Sequence, residues 1–164
     1  MKTGCASPDA AKPVGGTVQG DATDAATIVD PEAINRDALQ SAVSDERSRQ
    51  FYEDRNWEPA WTPDTVPGLV SVLRTSSRHG LDPTEYLQPV EDAGDPAARE
   101  AALTKAALDL ADALGDGMTD PGELFSVYTL PRPQLDVVAG LSTAAAENRT
   151  GEWIEELAPA DAEY

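Results

Sequence analysis

The sequence predicts an all-α fold: a compact multi-helix domain preceded by a disordered N-terminal tether. Three observations carry this expectation. Asp-Pro occurs at Asp30-Pro31, Asp82-Pro83, Asp95-Pro96 and Asp120-Pro121, and each pair reads as a helix start. Asp accepts hydrogen bonds from the free amides of the first turn, and Pro suits the first helical position because its missing N–H is not needed there. Apolar residues recur at helical spacing between these sites. No stretch shows sustained alternation with a period of two, so little or no sheet is expected.

Taken in order, the elements begin after a leader. Residues 1–30 are rich in Ala, Gly, Thr, Asp and Pro and hold no aromatic residue. Such a segment cannot bury enough apolar surface to offset its ordering entropy and reads as a tether. Residues 31–164 form the domain. A first helix is expected from Pro31 to about Val43, and Ser44 could cap a second running to about Arg55. Val66, Leu69, Val70 and Leu73 then follow an i, i+3, i+4, i+7 stripe, ending near Arg78 with Gly80 as the stop. Asp82-Pro83 and Asp120-Pro121 each place an acid, Glu85 and Glu123, where a capping box would have one. The longest candidate runs from Pro96 to Leu114, with Leu103, Ala106, Ala107, Leu110 and Leu114 on one side. Its alanines suggest close packing on a neighbour. Gly115-Asp116-Gly117 ends it. Val138, Leu141 and Ala145 mark a helix after Pro133, and Trp153, Ile154 and Leu157 a last one stopped by Pro159.

Charge excludes one class of function. With 30 acidic and 12 basic residues the net charge is -18. A field of that sign repels phosphate backbones and anionic lipid surfaces, so no nucleic-acid partner is expected. No apolar run is long enough to cross a bilayer. One cysteine, Cys5, permits no internal disulfide. Thr3-Gly4-Cys5-Ala6-Ser7-Pro8 looks like the end of a bacterial lipoprotein signal without its apolar segment, which makes Cys5 a lipidation candidate and the route to any membrane contact.

Candidate chemistry is sparse. His79 is the sole histidine; just before a helix-stopping Gly it suits the helix C-terminal carbonyls. Asp116 to Glu123 carries acids at loop-like intervals but does not match the calcium-loop pattern, so neither a metal nor a cofactor is expected. Asp109 with Asp112 reads as a solvated face rather than an acid/base pair. Asn148-Arg149-Thr150 matches an N-glycosylation acceptor but sits where Thr150 would cap the last helix. The aromatic residues Tyr52, Trp57, Trp61 and Tyr86 are the binding candidates. Next to Pro59, such rings either plug a core or form a platform for stacking sugars.

A resemblance joins these features. Phe51-Tyr52-x-x-Arg55-x-x-x-Pro59-x-Trp61 precedes an amphipathic helix and then His79-Gly80-Leu81-Asp82-Pro83-x-x-Tyr86. Leu103-Thr104-x-Ala106, Gly117-Met118-Thr119-Asp120-Pro121 and Leu157-Ala158-Pro159-x-x-x-x-Tyr164 follow in turn. From about residue 45 to 164 the chain resembles the scaffold domain of large periplasmic L,D-transpeptidases. That resemblance implies a helical scaffold supporting a separate catalytic domain. The family's catalysis uses a Cys nucleophile with a His in an S-H-G-C type motif, and no such motif stands here. No catalytic residue is carried over, and the expectation is that this chain is not itself an enzyme. The resemblance implies a periplasmic module, with Cys5 as its candidate lipid anchor, whose partner is an L,D-transpeptidase catalytic domain or peptidoglycan. It either stands alone or is the excised scaffold of a full-length L,D-transpeptidase. An unrelated acidic helical binding protein is the alternative.

Overall fold

A computed structural model describes residues 31–115 and 135–158, all helix and connecting turns with no strand among them. After a 3₁₀ turn at Pro31–Ala33 come α1 (Arg36–Ala42), α2 (Glu46–Asp54) and α3 (Val66–Thr75). The chain continues through a 3₁₀ turn at Ser76–His79, then α4 (Pro83–Glu91) and α5 (Pro96–Gly115). Two further helices, α6 (Val137–Ala146) and α7 (Thr150–Leu157), complete the described residues. The lipidation candidate Cys5, the acids of the 116–123 loop and the Asp120-Pro121 start lie outside these residues.

Helix α5 is the axis. It touches each of the other six α-helices, and α4, α3, α7, α6 and α2 wrap it in an arc in which each contacts the next. Its buried side explains this role, because Leu103, Ala107, Leu108, Leu110 and Ala111 are all fully buried. Alanine among leucines lets neighbouring backbones approach while leucine fills the space between them. On the surface, Asp109 and Asp112 do not simply face water. Arg47 of α2 donates to both, at 2.6 and 3.1 Å, and Lys105 also pairs with Asp109. The two half-exposed Arg47 pairs tie α2 to α5, each adding at most about 1 kcal/mol.

The helix starts follow the capping logic with local corrections. Asp82 accepts from the Thr84 amide and Asp95 from the Ala98 amide, each at 2.9 Å. Pro31 opens only a 3₁₀ turn; the α-helix waits for Asn35, whose side chain accepts from Ala38 at 2.7 Å. Asp45, not Ser44, caps α2 by accepting from Ser48. A carboxylate also complements the positive helix end, which a hydroxyl does not. Asp136 caps α6. Thr150 is not a cap: it is the first residue of α7, with its hydroxyl buried and unpartnered.

Three of the helix ends share one device. After α2, Trp57 donates to the Tyr52 carbonyl and Asn56 to that of Glu53. After the 3₁₀ turn, Leu81 and Gly80 donate likewise to Ser76 and Ser77, and after α6, Arg149 and Asn148 donate to Ala144 and Ala145. This paired closure needs a left-handed residue at its bend. Asn56 (φ 55°), Gly80 (φ 77°) and Asn148 (φ 56°) supply it.

At the α6–α7 crossing, a Cβ on Gly140 would lie 2.4 Å from Cζ2 of Trp153. Gly→Ala within a helix ordinarily stabilises by up to about 1 kcal/mol. Here Gly140→Ala is expected to reverse that sign and cost about 1–2 kcal/mol through overpacking, read as a lowered urea midpoint. A raised midpoint would mean that Trp153 swings clear.

Candidate functional site

The aromatic segment and α5 meet at one buried polar cluster. Tyr52 lies on the inner side of α2, and Trp61 ends the extended stretch that follows. Glu100 and Thr104 stand one turn apart on the buried side of α5, the i, i+4 spacing that puts two side chains on one face. The Tyr52 hydroxyl shares a 2.6 Å hydrogen bond with Thr104 Oγ1 and donates to Glu100 Oε1 at 3.1 Å. The indole Nε1 of Trp61 donates to the same Thr104 oxygen at 2.9 Å. Glu100 Oε1 also accepts from the backbone amides of Ala60 at 2.5 Å and Trp61 at 3.3 Å. Its Oε2 has no partner. Tyr52, Trp61, Glu100 and Thr104 are each 0% exposed.

Burial dominates the electrostatics. It pushes the Glu100 carboxyl up to about 7, against the opposing effect of the Ala60, Tyr52 and Trp61 donors. Burial, with the Glu100 charge second, raises the Tyr52 hydroxyl well above its ordinary value. A carboxyl that titrates near neutrality is a feature of general acids and bases. This one is sealed from solvent and bonded to side chains and amides of its own core. What it does is pin the end of the 56–61 stretch to α5 by supplying an acceptor for the buried amides of Ala60 and Trp61, which lie outside any helix.

The structure therefore brings Tyr52, Trp57 and Trp61 together and leaves Tyr86 apart on α4. Tyr86 is buried, with its hydroxyl raised chiefly by that burial. Trp57 stacks on Tyr52 with ring centroids 6.0 Å apart and planes 14° from parallel. That stack is the apolar contact that accompanies the closure of α2. Phe51 meets Tyr52 edge-on at 5.1 Å, and the Arg55 guanidinium lies 5.4 Å from the Phe51 ring centre. Tyr52 and Trp61 are spent on packing, so of the four aromatic candidates Trp57 alone keeps a partly open ring. His79 sits half-buried beside Gly80, and its Nδ1 has no hydrogen-bond partner.

Sequence reasoning missed Glu100. The signal was present: carrying the Leu103–Ala107–Leu110–Leu114 stripe back one turn lands on this residue. A charge on a buried stripe needs hydrogen-bond partners, and Thr104 lies one turn on. Among the described residues no group of three His, Cys, Asp or Glu side chains is placed to hold a metal ion.

A model of the family described as "Scaffold domain" matches residues 46–164. The chain belongs to the scaffold-domain family. The match begins with α2, runs through every later helix described above and coincides with the stretch that resembles the L,D-transpeptidase scaffold. The motif residues Phe51, Tyr52, Arg55, Trp61 and Thr104 build the aromatic and carboxylate cluster together with Trp57 and Glu100. No curated protein and no solved structure matches the chain.

Proposed function

We propose that this scaffold domain is a non-catalytic interaction module of the bacterial cell envelope, working with L,D-transpeptidases in peptidoglycan cross-linking. The observation that carries this reading is the family match across 46–164. It is supported by the fate of the motif residues: Tyr52, Trp61 and Thr104 are buried and bonded to one another and to the enclosed carboxyl of Glu100, where they hold structure. The module is assigned to the periplasm, with a lipid on Cys5 as its membrane anchor. It has no cofactor, and Trp57 is the aromatic residue assigned to contact a partner.

Two measurements test it. The purified chain should sediment with isolated sacculi or be retained by an immobilised L,D-transpeptidase catalytic domain. Binding to neither would overturn the link to peptidoglycan cross-linking and leave an acidic helical module with another partner. Dye release from labelled sacculi by the chain alone would overturn its non-catalytic role. The intact mass of the endogenous protein in a membrane fraction decides how it is deployed. A mass near that of this sequence plus lipid makes it a free-standing lipoprotein. A far larger mass makes it the scaffold portion of an L,D-transpeptidase.

A further inference from the structure

Between α3, the following 3₁₀ turn, α5 and α7 lies a cavity of about 240 Å³. Val72, Leu110 and Leu114 form an apolar wall, while Arg78 and Glu155 line the same space. Both charged residues are exposed, and neither forms an ion pair among the described residues. His79 and Ser76 also line it, and His79 Nδ1 and Ser76 Oγ have no hydrogen-bond partner. The wall thus keeps hydrogen-bonding capacity unspent, which in a native fold asks for an explanation.

We propose that this cavity binds a small zwitterion, a free amino acid with an aliphatic side chain. Its carboxylate would meet Arg78, its ammonium Glu155, and its side chain the wall of Val72, Leu110 and Leu114. Opposite charges that share a cavity without closing on one another leave a gap that a molecule carrying both charges fills. An anion alone would face Glu155 and the repulsion of a chain with net charge -18; a cation alone would face Arg78. A zwitterion carries no net charge for that field to repel. The volume falls below the roughly 300 Å³ at which pockets for drug-sized ligands begin, so a single amino acid suits it better than a longer peptide. The site stands independently of the cell-wall reading.

The test is a titration of the full chain with L-leucine, followed by methyl NMR at Val72, Leu110 and Leu114. Saturable shifts are expected in the millimolar range. N-acetylleucine lacks the ammonium and leucinamide the carboxylate, and each should bind at least about tenfold more weakly, as loss of one charge-assisted hydrogen bond entails. Arg78→Gln should weaken leucine by a similar factor without weakening leucinamide. Glu155→Gln should weaken leucine without weakening N-acetylleucine. A residue with only a structural role would not sort the ligands in this way, and both residues are exposed enough to substitute without loss of fold. Absence of saturable shifts overturns the proposal, as does equal binding of leucine and its blocked derivatives. Tighter binding of leucylleucine than of leucine would overturn the assignment to a free amino acid and point to peptide ends.

Discussion

Trp61→Ala is expected to cost the domain roughly 3–5 kcal/mol in urea unfolding, the usual range for a fully buried large aromatic side chain. The ring is 0% exposed, and removing it does more than open a cavity. Thr104 Oγ1 loses its indole donor, and the 56–61 stretch loses the anchor that holds its amides against Glu100. Trp61→Phe separates the two effects. It keeps most of the buried area but loses the N–H donor and part of the bicyclic ring, so about 1–2 kcal/mol is expected. A loss below about 1 kcal/mol for Trp61→Ala would show that the segment is held by something other than this ring.

Glu100 is expected to make stability depend on pH between about 5 and 8. Its folded value of about 7 lies above the ordinary 4.5, so the folded state binds the proton more tightly than the unfolded chain. The stabilising contribution is fully present below about pH 4.5 and is lost as pH rises through 7. A shift of that size corresponds to about 3 kcal/mol between the two limits. Asp82, held below its usual range by the Thr84 amide, works in the opposite direction: its contribution is lost only as pH falls below that range. Urea melts of the wild type and Glu100→Gln at each pH isolate the effect, because Gln mimics the protonated acid. The difference between the two proteins should grow in favour of Glu100→Gln from pH 5 to 8. A difference independent of pH would mean that Glu100 keeps an ordinary acidity in the fold.

The starts of helices were easier to read in the sequence than their ends. Asp82-Pro83 and Asp95-Pro96 announce themselves because a capping carboxylate and a Pro lacking an N–H serve the same helix end. The stripe Val66–Leu69–Val70–Leu73 is legible because one face of α3 is buried and the other is not. The left-handed bends at Asn56 and Asn148 were hidden because Asn is the second choice after Gly at that position. Asn148 also stands in a triplet that reads as a glycosylation acceptor. Gly80, by contrast, was legible as a stop. Glu100 was obscured by its neighbours: the alanine-rich sequence of α5 gives a weak contrast between its faces, and a single acid within it looks solvated. That Tyr52 and Trp61 would converge on Thr104 depends on residues more than 40 apart in sequence, and no local pattern encodes such a meeting.

The central position of α5 has a mechanical consequence. Each outer helix described here rests on it, so none can peel away without uncovering part of the same shaft. Amide exchange at its middle should then proceed only through global opening, and the described helices should behave as one cooperative unit rather than several. A load applied at any outer helix is transmitted to that shaft. The described helices are therefore built as a strut, which carries load along its length and does not bend.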